Sequence, residues 1–424
     1  MSRLRAAALA AGFGLLASAP LSHAGYGLNP PATAVQSGGL ANAVFAVADD
    51  TDALNSNPAG LSRIEGSRVD TLLEPFYWLV HHDDDIGGRR APDDLYGAIV
   101  AGGYAQRLDP QWVAALGLTV QGGSGFNYGS LPNAVGAPGP VSALFGSVRI
   151  APGLAWQATP QLAFGLSVGL VYSSARQKLL PENSVPAGNG FPGFNGFRLD
   201  GLEGFSGNAR FGLLYEPSPR WTLAAGYATK TPIRLKNGRM KLNRDASGEA
   251  PLTYEDVELR GLNFAPDVTI GAAFRPDQRW TISGNISWLD WSNAMATSHL
   301  RASKPNDPSA APILALDAPL NFRDNVVFAL GASYQWTPAT QLRAGAAYAR
   351  NPQGKEGVTP ALNLVADRTV SAGFAHRFGA GWEFGGSALL QPPNSMRYDN
   401  PLFGGEAKES FGALAFYLGL SRRW

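Results

Sequence analysis

The stretch Trp280-Thr281-Ile282-Ser283-Gly284-Asn285-Ile286-Ser287 decides the fold. In an extended chain successive side chains point to opposite sides, so Trp280, Ile282, Gly284 and Ile286 share one face and Thr281, Ser283, Asn285 and Ser287 the other. A helix would scatter the same residues around its circumference. One face suits lipid and the other water. The split returns at 326–336, where Val326, Phe328, Leu330, Ala332, Tyr334 and Trp336 oppose Val327, Ala329, Gly331, Ser333 and Gln335. It returns again at 162–172, where Leu162, Phe164, Leu166, Val168, Leu170 and Tyr172 oppose Ala163, Gly165, Ser167 and Gly169. That second row is small, which leaves space inside a closed sheet.

Six short turns separate pairs of such segments: Leu108-Asp109-Pro110-Gln111, Ala158-Thr159-Pro160-Gln161, Glu216-Pro217-Ser218-Pro219-Arg220, Arg275-Pro276-Asp277-Gln278-Arg279, Thr337-Pro338-Ala339-Thr340-Gln341 and Gly379-Ala380-Gly381. A bulky apolar residue follows each, namely Trp112, Leu162, Trp221, Trp280, Leu342 and Trp382, and aromatic residues precede five of them. This predicts an aromatic girdle at one membrane interface. A membrane strand needs ~9 to 11 residues, so most intervals between these anchors hold two strands and a long loop on the far side. Six short turns with both chain ends on the same side predict fourteen strands, the first over about 69–80 and the last over about 411–424. The expected fold is all-β, a transmembrane antiparallel barrel.

Composition agrees. Charged residues are only 16% against 45% hydrophobic, and 51 Gly accompany 21 Phe, 13 Tyr and 10 Trp, a balance that suits strands facing lipid. With no cysteine, no disulfide holds the chain. After the N-terminus no apolar run is long enough for a membrane helix. Lys plus Arg (34) and Asp plus Glu (33) nearly cancel, which gives no reason to expect a nucleic-acid partner. Arg3 and Arg5, the apolar run 6–17 and Ser22-His23-Ala24 read as a secretory leader over 1–24, followed by export. The chain closes on Phe416-Tyr417-Leu418-Gly419-Leu420-Ser421-Arg422-Arg423-Trp424, with Phe416, Leu418, Leu420 and Trp424 on one face. This resembles the C-terminal signal that barrel-assembly machinery recognises, which makes that machinery an expected partner; Arg422 departs from the apolar residue usual two before the end.

From 25 to 61 the chain is rich in small residues and lacks alternation, opening Gly25-Tyr26-Gly27-Leu28 and carrying Ala48-Asp49-Asp50-Thr51-Asp52-Ala53 ahead of Asn57-Pro58-Ala59. With Trp288-Leu289-Asp290-Trp291-Ser292, Leu320-Asn321-Phe322-Arg323-Asp324 and Leu342-Arg343-Ala344-Gly345, this resembles the FadL family of outer-membrane long-chain fatty acid transporters. The resemblance implies that 25–66 forms a hatch inside the barrel, with Asn57, Pro58 and Ala59 in it, and that 67–424 forms the wall with long extracellular loops. A plug is also expected physically, because a barrel of this size encloses a lumen that leaks if empty. Gly122, Gly123 and Gly125, leading into Phe126, Asn127 and Tyr128, resemble the family's third strand, which kinks inward and opens the wall. Clustered glycine permits such a bend, and it also suits a plain turn into a loop.

Leu179, Leu180, Phe191, Phe194 and Phe197 form an apolar set among Gly and Pro, expected with Phe126 and Tyr128 to line a hydrophobic ligand's path. A second loop, 233–258, carries Arg234, Lys236, Arg239, Lys241 and Arg244, suited to a carboxylate, to lipopolysaccharide phosphates, or simply to water. Parity directs Arg149, Arg323 and Arg343 into the lumen, and these, with Arg176, are candidate carboxylate partners; pairing with Asp49, Asp50 or Glu383 is the competing reading. His81-His82 before Asp83, Asp84 and Asp85 reads as a solvated acidic loop, without metal-ligand spacing. Gly165-Leu166-Ser167-Val168-Gly169 has nucleophile-elbow spacing but lies inside an alternating strand, so no catalysis is expected, nor any cofactor. The resulting expectation is a passive outer-membrane channel for hydrophobic molecules such as long-chain fatty acids. Aromatic or aliphatic hydrocarbons are the alternative substrates. A general porin, an outer-membrane lipid enzyme and an adhesin are the rival functions. Membrane lipid and lipopolysaccharide are the expected surroundings.

Overall fold

The computed structural model describes residues 26–188 and 193–424; the leader reading over 1–24 and Phe191 lie outside the described residues. Fourteen antiparallel strands form the wall: Ser67–Trp78, Tyr96–Arg107, Trp112–Ser124, Gly139–Thr159, Leu162–Val185, Phe194–Ser218, Trp221–Ala228, Asp267–Phe274, Trp280–Leu289, Asn325–Gln335, Thr340–Ala349, Arg368–Phe378, Trp382–Asn400 and Gly405–Arg423. The first and last pair from Arg68↔Arg423 to Trp78↔Ala413, which closes the sheet into a ring. Closure satisfies the backbone N–H and C=O groups where no water is available to do so. The first strand starts two residues earlier than expected and the last starts at Gly405, because its outer end continues as a hairpin with the thirteenth.

The alternation sorts the side chains as read. Phe328 and Leu330 are exposed while Val327 is buried, and Ile282 and Ile286 are exposed while Ser283 and Asn285 are buried. All six short turns lie between consecutive wall strands. Asp109 and Asp277 each accept two backbone N–H groups at the turn they open, which holds the chain in a tight reversal. Rings flanking the turns meet across strands: Trp112 with Trp156 at 5.9 Å, Trp221 with Phe274 at 4.6 Å and Trp280 with Tyr334 at 4.7 Å. These make the girdle at the short-turn, periplasmic end.

At the outer end the strands outrun the membrane. Leu162–Val185 and Phe194–Ser218 have 24 and 25 residues, so Leu179, Leu180, Phe194 and Phe197 sit on or beside extended wall strands and not in a free loop. The basic stretch is likewise a hairpin, Arg234–Leu242 with Leu252–Arg260, joined by Thr297–Pro305 and Ile313–Pro319 into an extracellular sheet on the sixth wall strand. Two sequence expectations are corrected here. His82 is not in a solvated loop; His81–Asp84 is a short strand on the last wall strand, and the His82 ring is fully buried between Asp84 and Glu409. Arg323 does not face the lumen; the tenth strand begins only at Asn325, so no ladder fixes the side on which Arg323 points, and it is exposed on the outer connection.

Residues 26–64 pack inside the ring, and Glu65 and Gly66 are exposed at the rim beside Trp424. A short helix, Val35–Gly39, and two 3-10 turns, Thr51–Leu54 and Pro58–Arg63, pack against inward-facing wall residues. The space left by the small inward row is therefore filled. A Cβ on Gly165 would lie 2.1 Å from the Pro58 carbonyl carbon, and one on Gly212 1.9 Å from Asn57 Oδ1. Only glycine lets the wall approach the Asn57-Pro58-Ala59 turn so closely.

Candidate functional site

Asn57 starts the turn Pro58–Arg63 as its N-cap: Oδ1 accepts the Ala59 N–H at 3.1 Å, and Pro58 supplies a helical φ where no N–H is needed. Its amide nitrogen donates to Phe45 O at 3.0 Å and to Leu213 O on the sixth wall strand at 3.2 Å. Further ties run from wall to hatch. Ser283 donates to Ala43 O and Ser387 to Val35 O, both at 2.6 Å, and Asp70 accepts the Thr51 N–H at 3.0 Å. At the periplasmic rim Arg63 pairs with Glu216 at 2.6 Å.

The third wall strand bends. Its ladder to the second strand runs from Arg107↔Val113 to Gly102↔Leu118 and stops there, whereas the second strand continues out to Tyr96, bonded on its other side to the first. Beyond Leu118 every residue from Thr119 to Ser124 is buried, and the register to the fourth strand slips between Val120 and Gly122. That slip is a bulge, which bends a strand and frees its edge. Gly122 has φ 145°, and a Cβ there would lie 2.1 Å from Leu28 O. The freed edge is taken up inside: Gly123 N donates to Leu28 O of the hatch at 3.1 Å, and Phe126 N to Ala361 O at 3.2 Å. Gly125, at φ 153°, continues the bend.

Above the hatch two apolar clusters occupy the lumen. One unites Phe126, Tyr128 and Leu180 with Trp78, Val120 and Phe411, and Leu179 and Phe194 pack against it. The other contains Tyr26, Leu28, Phe145, Phe264 and Trp291, and Phe197 packs against that one instead. Sequence reasoning missed Leu28, Phe264, Ala361 and Trp291 as neighbours of the kink. Trp291 did carry a signal, since the helical turn Trp291–Ala294 behind Asp290 as N-cap interrupts the alternation of the ninth strand. Its ring lies against Gly27.

Beneath the hatch lies a polar cavity of about 250 Å³, lined among others by Asp49, Asp52, Arg68, Asp70, Arg343 and Glu383. Burial pushes the Asp52 carboxyl up to about 6, against hydrogen bonds from Asn55 and Thr33 that favour its charged form. Asp50 is driven well above the usual carboxylate range by burial first, then by the Asp70 and Asp52 carboxylates. The four candidate guanidiniums are scattered. Arg149 is buried and spends its donors on Asn208, Ser167, Leu54 O and Asn55, joining wall to hatch. Arg343 lines the polar cavity and bonds Gln341, Arg176 is exposed on the outer surface, and Arg323 is on an outer connection. Among the described residues no group of His, Asp and Glu side chains is arranged to hold a metal ion.

Residues 14–384 match the family described as outer membrane protein transport protein (OMPP1/FadL/TodX). No curated protein sequence matches the chain. A Pseudomonas aeruginosa FadL homologue shares 14% identity at TM-score 0.76, covering 94% of this chain and 99% of its own. The Pseudomonas putida toluene transporter TodX shares 20% at TM-score 0.74, over 91% and 98%. The Ralstonia pickettii toluene transporter TbuX shares 19% at TM-score 0.69, over 97% and 100%. At these identities the likeness is one of fold.

Proposed function

Because the chain belongs to the outer membrane transport protein family OMPP1/FadL/TodX, and so is an outer-membrane transport barrel and not an enzyme, we propose that it admits uncharged hydrophobic small molecules by a passive route that ends sideways, in the wall. The observation that carries this reading is the ladder broken above Gly102↔Leu118, where the third strand leaves its neighbour and turns into the lumen. An apolar molecule in the outer clusters has that opening beside it and a cavity rich in Asp and Arg below it. Entering the polar cavity would displace water from charged groups without replacing their hydrogen bonds, so the sideways exit is the cheaper course.

Hatch and opening are coupled through one bond, Gly123 N to Leu28 O, so a shift of the hatch near Leu28 releases the kinked strand. The outer residues Leu179, Leu180, Phe194 and Phe197 receive ligand first, and Phe126 and Tyr128 pass it toward the kink. An uncharged hydrocarbon is favoured over a long-chain fatty acid by the fate of three of the four candidate cations: Arg149 is engaged by the hatch, Arg323 is on an outer connection and Arg343 lines the polar cavity, and only Arg176 shares a cleft with Gly125 and Phe126. Export by the leader at 1–24 and recognition of the terminal strand by barrel-assembly machinery complete the reading.

The test is uptake of labelled toluene and labelled oleate by cells producing the protein, alongside mass spectrometry of molecules extracted from the purified barrel. Toluene uptake above the empty-vector level without oleate uptake is expected. Oleate uptake, or copurified fatty acid alone, would return the fatty acid to first place; uptake of neither would overturn the transport reading.

A further inference from the structure

Outside the barrel, at its outer rim, a second site is built from two halves. Tyr227, Val268 and Trp288 lie side by side in register on the seventh, eighth and ninth wall strands, all exposed to the outside. Just beyond that row the chain leaves the wall, at 229–233, 261–266 and 290–296, before resuming in the extracellular sheet. The detour opens a cleft of about 430 Å³, lined by Arg234, Arg260, His299, Asn263, Asn293 and Thr297 among others. Gly261, at φ 97°, makes the turn that forms its back.

The cleft is positive. Arg234 and Arg260 share one carboxylate, Glu258, the first through Nη2 at 2.6 Å and the second through Nε. Each planar guanidinium has five N–H donors, so most remain unspent. Lys230 sits beside the cleft with Nζ on Asn293 O at 2.7 Å. Arg301, across the ladder from Glu258, and Lys236 and Lys241 on the adjoining strand have no carboxylate within ion-pair distance among the described residues.

The other half is apolar and lies directly below, on the lipid face. A groove of about 810 Å³ runs between Leu223, Ile270, Phe328, Leu330 and Tyr348. Its floor is low because Ala272 and Gly284 pair across the ladder with no bulk on either side. Tyr227 and Trp288 stand between the two halves, where aromatic rings mark the membrane–water interface, so the arginines lie at headgroup level and the groove at acyl-chain level.

We propose that this paired cleft and groove binds one phosphorylated glycolipid of the outer leaflet, its phosphate on Arg234 and Arg260 and an acyl chain in the groove. Guanidinium geometry suits phosphate, and at the membrane surface such contacts are less screened than in water. The site is separate from the transport path, so either reading stands if the other fails.

Purified protein is titrated with rough-type lipopolysaccharide, with the same lipid after enzymatic dephosphorylation, and with inorganic phosphate alone, reading bound lipid by native mass spectrometry and thermal stability. One phosphorylated lipid per chain and a raised Tm are expected. The R234Q/R260Q variant should bind roughly tenfold more weakly or worse, since two charge-assisted contacts are lost. G284W, which fills the groove and leaves the arginines, should lose binding too, and R397Q, on a distant outer hairpin, should not. Heat-modifiable gel mobility verifies that each variant is folded. Equal binding of phosphorylated and dephosphorylated lipid, or wild-type affinity in R234Q/R260Q, would overturn the proposal, as would an equal Tm shift with inorganic phosphate alone.

Discussion

The Asn57 side-chain amide donates to the main-chain carbonyl of Leu213, 3.2 Å away and 156 residues along the chain, while its oxygen caps the turn at Ala59. One buried side chain thus sets the local turn of the hatch and its seat on the wall. Removing the amide takes its side-chain donor from the buried Phe45 carbonyl, a loss of about 1–3 kcal/mol, and cuts the tie to Leu213. Asn57→Ala should loosen the hatch and leave the wall intact. Channel conductance in planar bilayers should rise while heat-modifiable gel mobility stays that of a folded barrel; wild-type conductance would show that the bond does not hold the hatch.

Gly212→Val attacks the same contact from the other side, since its Cβ has no room beside Asn57 Oδ1. The variant should assemble, because the sixth strand keeps its ladder and valine favours strands, yet it should leak as Asn57→Ala does. A tight channel in this variant would mean that wall and hatch can separate without consequence.

Gly122→Val meets the Leu28 carbonyl and requires φ 145° of a β-branched residue. The strand must straighten or the hatch end must move. Toluene uptake should fall toward the empty-vector level, and cross-linking between positions 101 and 119, engineered as cysteines in this cysteine-free chain, should become faster as the ladder closes. Unchanged uptake would remove the sideways route.

Acid should tighten the hatch. The Asp52 carboxyl has a folded value of about 6 against an ordinary 3.8, so the folded hatch binds the proton better than a displaced one. Its stabilising contribution is complete below about 3.8 and is lost as pH rises through about 6. Conductance measured from pH 4 to pH 7 should therefore increase. Asp52→Asn should flatten that rise, and a variant with the wild-type pH profile would assign it to other groups, Asp50 first.

The outer cap should respond to pH in the same sense. Both ring nitrogens of His82 face carboxylate oxygens, Asp84 Oδ2 and Glu409 Oε1, each at 2.6 Å; carboxylates only accept, so the ring carries two protons. Burial lowers the imidazole's affinity for its proton, but the bonds and charges of Glu409 and Asp84 outweigh it and the net direction is up. Tyr398 donates to the same Glu409 oxygen, and Tyr128 and Phe403 flank the ring. The stabilisation is present below the ordinary 6.5 and is lost as pH rises through the higher folded value. Protection from hydrogen exchange at 81–90, taken relative to the intrinsic rate at each pH, should fall as pH rises above 6.5, and His82→Phe should be poorly protected throughout; full protection in that variant would show that the ion cluster is not what holds the cap.

The period-two pattern by itself determined the wall: strand existence, which side chains meet lipid, the six turns and hence the count of fourteen. Alternation and turn chemistry are local, and a side chain's face in a strand follows from its neighbours alone. The small inward row was legible too, but not what it accommodates. Gly165 and Gly212 meet Asn57 and Pro58 only once the ring has closed on the hatch. Arg323 follows no parity because the tenth strand starts only at Asn325, and where a ladder ends is set by its neighbours on the closed sheet. His82 was misread because the group that makes it a buried cation, Glu409, lies 327 residues away. The contact of Gly123 with Leu28 and the broken ladder beside it are of the same kind. What a freed strand edge bonds to, and which charges share a dry interior, depends on segments brought together by closure, and no window of sequence contains both partners.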